Sequence, residues 1–265
     1  FHGTYGINIE PAWDISTGSG VVVAVLDTGV AYEDYVQNPA KRYYLAPDLA
    51  NTHFIPGYDF VNGDAHPNDD DSHGTHVAGT IAQSTNNGIG VAGVAYDCSI
   101  MPVKVLGPRG GTLDQLVDGI YFATDWGADV ISMSLGFPPG YYPGVALDDA
   151  LDYAYDNGVT IVAAAGNDET GTVSYPAAYE KCIAVGAITE EGTLASYSNY
   201  GNDIDVVAPG SRILQNTFDP NTQDTSDFGF WYFRGTSMAT PHVSGIAALL
   251  IASAEANGET LTPYE

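Results

Sequence analysis

The chain of 265 residues has a formal net charge of −26, because 33 acidic side chains stand against only 7 basic ones. A surface this acidic repels nucleic acid and anionic membranes, which argues against both as partners. The length suffices for one large α/β domain, although length alone also allows two. The acids are spread along the chain, and we find no apolar run as long as a membrane span.

Apolar runs alternate with segments of helical periodicity, as is typical of a parallel sheet with helices on both faces. An N-terminal arm with a short helix at Pro11 comes first. The predicted strands are residues 21–27, 58–61, 100–106, 129–135, 159–165, 182–187 and 204–208. The predicted helices begin at His73 and near Ser237 and span residues 113–125 and 146–157. We therefore predict one three-layer α/β domain over residues 1–265, with a mostly parallel central sheet.

The first predicted strand is continuously apolar and ends in Asp27, Thr28 and Gly29. Asp27 either caps the turn that follows or serves a reaction at the carboxyl end of the sheet. A polar stretch over residues 31–72 comes next and is longer than most connections, which suggests that function or a ligand orders it.

His73 opens a helix whose small residues predict close packing. It is either a buried structural histidine or a general base, since an imidazole pKa lies near neutrality. We expect structural roles for His76 and His242. A zinc site from His73 and His76 is conceivable, but no HExxH pattern or cysteine cluster accompanies them.

Ser237 lies near the start of a helix that is indicated by Val243, Ile246 and Leu250. Pro241 is expected in the first turn of that helix, where a missing N–H costs little. Ser237 is then either an N-cap or a nucleophile beside a helix N-terminus that favours negative charge.

Three segments together decide between these alternatives: Val25-Leu26-Asp27-Thr28-Gly29, His73-Gly74-Thr75-His76 and Gly235-Thr236-Ser237-Met238-Ala239. In residues and in order they resemble the signature segments of subtilisin-like serine proteases, the subtilase family, and the pattern is closest to the thermitase and subtilisin group. The resemblance implies that Asp27, His73 and Ser237 form a catalytic triad. It also implies that Asn167 donates to the oxyanion beside the Ser237 N–H, although Gly166-Asn167 alone is equally typical of a turn.

The resemblance also implies how a peptide binds. Ser134, Leu135 and Gly136 resemble a segment that pairs with the substrate as an added strand, and Gly110 and Gly111 resemble the opposite edge. Ala164 and Gly166 would border the primary specificity pocket. Their small size leads us to expect a broad preference for apolar residues before the cleaved bond, with acidic substrates disfavoured by the net charge.

Calcium is the implied cofactor, although the acidic loop alone is also compatible with a solvated surface. One site would use Asp48, the Asn87 side chain and the carbonyls of Thr85, Ile89 and Val91. A second would use the side chains of Asp59, Asn62, Asp64 and Asn68 with the His66 carbonyl. A third would use the carbonyls of Ala177 and Tyr179 with Asp205.

Cys98 and Cys182 both begin apolar runs and could form a disulfide. The sheet order implied by the resemblance does not make their strands adjacent, so we expect two free, buried thiols. The aromatic segment 218–234 is either a wall beside the substrate or simple packing.

The resemblance thus implies a secreted, calcium-stabilised, monomeric serine endopeptidase that acts on polypeptides. Its own propeptide would aid folding and inhibit it, and neither nucleic acid nor membrane would be a partner. A subtilase-fold binding or scaffold protein without turnover is the alternative. An esterase is opposed by the order of the three residues and by the absence of a GxSxG motif.

Overall fold

The computed structural model describes residues 4–264; residues 1–3 of the predicted N-terminal arm and Glu265 lie outside the described residues. The strands are β1 (Val22–Asp27), β2 (Tyr35–Asn38), β3 (Lys41–Tyr43), β4 (His53–Phe54), β5 (Tyr58–Asp59), β6 (Ser99–Lys104), β7 (Val130–Met133), β8 (Thr160–Ala164), β9 (Cys182–Ile188), β10 (Val206–Pro209), β11 (Ile213–Phe218) and β12 (Phe228–Phe233). The α-helices are α1 (His73–Ala82), α2 (Leu113–Asp125), α3 (Val145–Asp156) and α4 (Thr236–Ala256). Short 3₁₀ helices cover Glu10–Asp14 and Pro47–Leu49.

The central sheet has the strand order β10-β9-β8-β7-β1-β6-β4, with β5 also paired to β6, and all these pairs are parallel. Alternate residues of β1 enter two different cores. Val23 and Val25 pack with α1 and α4, whereas Ala24 and Leu26 pack with α2 and α3. The predicted α/β architecture, with helices on both faces of a parallel sheet, is confirmed.

The structure adds two antiparallel hairpins that the sequence did not predict, β2–β3 and β11–β12. The second hairpin contains the aromatic segment. Its Phe233 ring stacks on His76 of α1 with centroids 4.3 Å apart, while Phe230 and Tyr232 are exposed. The packing interpretation therefore holds for the inward-facing residue of this strand.

Helix α4 corrects the expectation for Pro241, which lies well inside the helix and not in its first turn. A proline there cannot donate to the Ser237 carbonyl one turn earlier. That carbonyl instead accepts a hydrogen bond from the Ser134 hydroxyl at 2.7 Å. The side chain of a neighbouring strand end thus replaces the missing backbone donor.

A second correction concerns the length of apolar segments. Helix α4 has 21 residues and a mean hydropathy of 1.3, so by length and composition it could cross a membrane. Of that apolar window, 61% is buried inside the fold, because α4 packs against the sheet through small residues such as Ala239 and Ala248. A core helix of a large domain passes the same test.

The expectation of two free, buried thiols is confirmed for Cys98 and Cys182. Cys98 immediately precedes β6 and Cys182 begins β9, and these two strands are not neighbours in the sheet. Burial raises the pKa of both thiols, so neither carries a reactive thiolate at neutral pH.

Candidate active site

Asp27 is the last residue of β1, and His73 is the first residue of α1. Asp27 is fully buried, and its Oδ1 lies 2.7 Å both from the Thr28 N–H and from His73 Nδ1. In this contact Nδ1 carries a proton and donates it in a hydrogen bond to the carboxylate, so Nε2 is the basic nitrogen of the imidazole. The arrangement is that of a carboxylate-oriented general base.

The electrostatics of the site favour protonation of His73. Burial lowers the pKa of His73, but the charge of Asp27 and its hydrogen bond outweigh burial, and Asp69 and Asp71 add to their effect. The resulting pKa is about 9. His73 is therefore a stronger base than a free imidazole.

Ser237 is the second residue of α4, so its backbone N–H is one of the free donors of the first turn. Its hydroxyl lies 3.2 Å from the Ser134 carbonyl, to which it donates, and forms no hydrogen bond with His73. His73 and Ser134 line one cavity of about 460 Å³, and Ser237 forms hydrogen bonds with Ser134. Hydrogen bonds of catalytic groups are often loose before substrate binds.

Asn167 lies just beyond the end of β8, close to the start of α4. Its Oδ1 accepts a hydrogen bond from the Thr236 N–H at 2.8 Å, which leaves the Nδ2 group without a partner among residues 4–264. A Cβ on Gly235 would lie 3.5 Å from Asn167 Nδ2 and 3.6 Å from the Ser237 nitrogen. The two predicted oxyanion donors thus border the same position, which Gly235 keeps free of a side chain.

The cavity beside His73 also contains most of the predicted substrate-binding residues. It is lined by Thr28, Asp71, His73, Leu106, Gly110, Gly111, Thr112, Leu116, Ser134, Leu135, Gly136, Phe137 and Pro138. Ala164 and Gly166 do not line it. A Cβ on Gly166 would lie 2.6 Å from Ser174 Oγ, and one on Gly136 would lie 3.3 Å from Ser174 Cβ, so both glycines neighbour Ser174. The structure therefore groups Gly110, Gly111 and residues 134–136 in one cleft and places the other two outside it.

A buried polar network that the sequence did not predict lies beneath this site. Thr28 Oγ1 donates to Asp69 Oδ1 at 2.8 Å and accepts from the Gly74 N–H at 2.9 Å. The fully buried Lys104 donates to the Thr28 carbonyl and to Asp70 Oδ1, the latter at 2.6 Å. The available signal was a lysine in an apolar strand and three consecutive acids just before His73.

Residues 18–265 match the model of the subtilase family, peptidase S8. The chain belongs to the subtilase family. It is 43% identical over 260 residues to the thermophilic serine proteinase of Bacillus sp. (strain AK1), covering 97% of this chain and 59% of that relative. It is 42% identical over 250 residues to thermitase of Thermoactinomyces vulgaris, covering 94% of this chain and 81% of that protein.

Solved structures agree with this assignment. A protease of Pseudoalteromonas arctica PAMC 21717 superposes with a TM-score of 0.84 at 36% identity, covering 94% of this chain and 83% of that one. A cold adapted subtilisin-like serine proteinase superposes with a TM-score of 0.76 at 34% identity, covering 94% and 80%. The predicted family, fold and enzyme class, a subtilisin-like serine endopeptidase, are confirmed.

His76 and His242, for which structural roles are expected, are both buried. His76 Nε2 lies 3.0 Å from the Ile213 carbonyl and 3.1 Å from the Trp231 carbonyl, and burial lowers its pKa to about 3. Burial likewise lowers the pKa of His242 to about 4. Within residues 4–264 no three His, Cys, Asp or Glu side chains form a group that could hold a metal ion.

The first predicted calcium loop surrounds a buried carboxylate. Asp48 is fully buried, and its oxygens accept from Asn87 Nδ2 at 2.5 Å and from Gln83 Nε2. A cavity of about 580 Å³ lies between residues 84–92 and the N-terminal segment. Among the described residues, no hydrogen bond reaches the carbonyl oxygens of Thr85, Ile89 and Val91. This set of oxygens suits a hard cation.

The second loop is largely satisfied by its own hydrogen bonds. Asp59 accepts from the N–H groups of Val61 and Asn62, and Asp64 accepts from the His66 N–H. The exception is Asn68, which is buried and whose Oδ1 has no partner among residues 4–264. That oxygen is the one feature of the second loop that calls for a cation or a water molecule.

The third predicted site has no comparable feature. Asp205 Oδ2 accepts from the Ala184 N–H at 2.8 Å, and the Tyr179 carbonyl accepts from the Cys182 N–H at 2.9 Å. The carbonyl of Ala177 accepts no hydrogen bond from the described residues. The three residues of the predicted site are present, but Asp205 Oδ2 and the Tyr179 carbonyl already accept hydrogen bonds.

Proposed function

We propose that this subtilase hydrolyses peptide bonds through Asp27, His73 and Ser237. The hydrogen bond of 2.7 Å between His73 and the buried Asp27, at a cavity that His73 shares with Ser134, carries the proposal. A serine hydroxyl is a weak nucleophile until a base removes its proton, and His73 is the base that this geometry offers.

The chemistry then follows in two balanced steps. Ser237 Oγ attacks the scissile carbonyl carbon while its proton passes to His73 Nε2, and the leaving amine takes that proton as the C–N bond breaks. Water then attacks the acyl carbon while His73 accepts its proton, and that proton returns to Ser237 Oγ as the ester C–O bond breaks and the carboxylic acid product leaves. Asp27 holds the imidazole and stabilises its charged form throughout.

The negative charge on the substrate oxygen would be stabilised by the Ser237 N–H and by Asn167 Nδ2. Support comes from the hydrogen bond of Thr236 N–H to Asn167 Oδ1, which fixes the orientation of the amide and leaves Nδ2 without a partner among residues 4–264. Because this orientation exists before substrate arrives, stabilisation needs no rearrangement in the transition state.

Substrate would bind as an extended strand along residues 134–136, with Gly110 and Gly111 on the other edge of the cleft. Apolar residues of the cavity wall, such as Leu106, Leu116 and Phe137, support affinity for apolar side chains. We propose that the pocket for the residue before the cleaved bond lies beside Gly136, Ala164 and Gly166 and prefers apolar groups.

Calcium would stabilise the fold, with the Asp48 and Asn87 loop as the best-supported site and the Asn68 loop as a second. A bound calcium ion would supply charge neutralisation for the buried Asp48 carboxylate and a fixed point for residues 85–91. The site at Asp205 has only the family resemblance to support it.

We also propose that the domain is a secreted monomer over residues 1–265, made with a propeptide. The relative in Xanthomonas campestris is named an extracellular protease, which supports secretion. The net charge of −26 supports a function without nucleic acid or membrane partners.

A fluorophosphonate that labels activated serines tests the triad. We expect one adduct, mapped by mass spectrometry to Ser237, and none in the Ser237→Ala or His73→Ala variants. Hydrolysis of a casein substrate should disappear in the same two variants. A folded protein that neither takes up the label nor cleaves casein would instead be the binding or scaffold protein of the alternative hypothesis.

A further inference from the structure

Three consecutive acids, Asp69, Asp70 and Asp71, precede the catalytic helix, and the fold treats each one differently. Asp69 is buried, and its two oxygens accept five hydrogen bonds: from the Thr28 hydroxyl, from the N–H groups of residues 71, 72 and 75, and from the Thr75 hydroxyl. Asp70 forms salt bridges with Lys41 at 2.7 Å and Lys104 at 2.6 Å. Asp69 thus has hydrogen-bond donors and Asp70 has basic partners inside the protein.

Asp71 is different because no basic side chain among residues 4–264 forms a salt bridge with it. Its carboxylate has one long contact, 3.5 Å from Gln223 Nε2. Asp71 is half-buried and lines the same cavity as His73 and Gly110, and among the described residues it is the only acidic one in that lining. Its charge helps to raise the pKa of His73, but no salt bridge within residues 4–264 holds it, and it borders the space that a substrate would fill.

We infer that Asp71 is a specificity-determining residue that selects substrates with a lysine or arginine side chain within two residues of the cleaved bond. The inference deepens the proposed function and rests on it. A cationic side chain in this cleft would be the missing partner of Asp71, whereas an acidic one would meet repulsion at short range. This preference adds to the apolar one, since Leu116 and Phe137 line the same cavity as Asp71.

The chain's charge balance strengthens the argument. The chain has only 7 basic residues against 33 acidic ones, and two of its lysines form salt bridges with Asp70. Within residues 4–264 none forms a salt bridge with Asp71. A partly exposed ion pair is typically worth about a fivefold change in affinity, or roughly 1 kcal/mol. We therefore expect a selectivity of about fivefold that weakens with salt, since screening acts on partly exposed charges.

The test uses pairs of fluorogenic peptides that differ only in lysine against acetyl-lysine, which keeps the four-carbon stem, adds an acetyl group and removes the charge. The variable residue is placed in turn at each of the two positions on either side of the cleaved bond. The measured quantity is the ratio of kcat/KM for lysine to kcat/KM for acetyl-lysine. In the wild type we expect a ratio of about five at one position or more in low salt. In 0.5 M salt, where the Debye length is about 4 Å, we expect a smaller ratio.

Asp71→Asn should bring this ratio close to one, and Asp71→Lys should bring it below one. Asp203→Asn removes the same charge from an exposed position outside the cleft and should keep the wild-type ratio. A wild-type ratio near one at all four positions, or a preference that survives in Asp71→Asn, would overturn the inference alone. Absence of all hydrolysis together with absence of label on Ser237 would overturn the proposed function as well.

Discussion

Replacing Lys104 with methionine removes a buried cation from beneath the active site while nearly keeping the side chain's length. Lys104 is fully buried, lies 2.6 Å from Asp70 and donates to the Thr28 carbonyl. The variant leaves Asp70 with only the partly exposed Lys41, and it removes the positive charge that lowers the pKa of the buried Asp69.

The expected loss of unfolding free energy is about 3–5 kcal/mol near pH 8, the usual cost of breaking a buried ion pair by removing one partner. The loss should shrink toward acidic pH. Burial already raises the pKa of Asp69 above its ordinary value, and removing Lys104 raises it further. A carboxyl group with a raised folded-state pKa binds protons more tightly in the native state, so its destabilising effect grows as pH rises from about 4 through that pKa.

Urea unfolding in a Ser237→Ala background, which prevents self-digestion, measures these free energies. A double-mutant cycle of Lys104→Met with Asp70→Asn should give a coupling of about 2 kcal/mol. Lys181→Met is the matched control, because Lys181 pairs with Asp152 at 2.7 Å on the surface and its loss should be much smaller than that of Lys104→Met. A loss below about 1 kcal/mol for Lys104→Met at pH 8, or a coupling below about 0.5 kcal/mol, would show that the buried pair of Lys104 and Asp70 does not stabilise the fold.

Four further outcomes are expected. Asn167→Leu should fold normally and lower kcat by about 10²–10³, the size known for loss of such a donor in subtilisin itself, and near-normal kcat would contradict its role. The acid limb of the pH profile of kcat/KM should have its midpoint above pH 6.5 and toward 9, because His73 must lose its proton to act as a base. Asp27→Asn should move this midpoint to lower pH, and a wild-type midpoint at or below 6.5 would count against the role of Asp27. Chelation of calcium should lower the melting temperature of the wild type more than that of Asp48→Asn, and equal responses would argue against that loop. Ser134→Ala removes the hydroxyl that donates to the Ser237 carbonyl of α4 and should lower the free energy of unfolding in urea by about 1–3 kcal/mol. No measurable change would mean that water replaces this hydroxyl.

The sequence was most informative where the signal is local. Continuous apolar runs marked strands such as β1 and β9, and period-3.6 patterns marked α2, whose predicted bounds equal the observed Leu113–Asp125. The short hairpins β2–β3 and β11–β12 were missed because their strands carry polar and aromatic residues without a clear apolar face. Their pairing depends on partners along the chain and on the elements they cover.

Residue types at element ends, read with the family resemblance, were sufficient to propose Asp27, His73, Ser237 and Asn167 from the amino-acid sequence. They could not show that Pro241 lies inside α4, since that depends on Ser134, 103 residues from Ser237, supplying the replacement donor.

By itself the sequence determined the alternation of strands and helices, the acidity of the chain and the residue types that the reaction requires. Which acids have a basic partner depends on the tertiary structure. The register of β6 beside β1 brings Lys104 to the Thr28 carbonyl, 76 residues away, and the same fold brings Lys41 to Asp70 and leaves Asp71 facing the cleft. Charges pair according to distance in space, and that distance is set by sheet register and helix packing, which neighbouring residues in the chain do not encode.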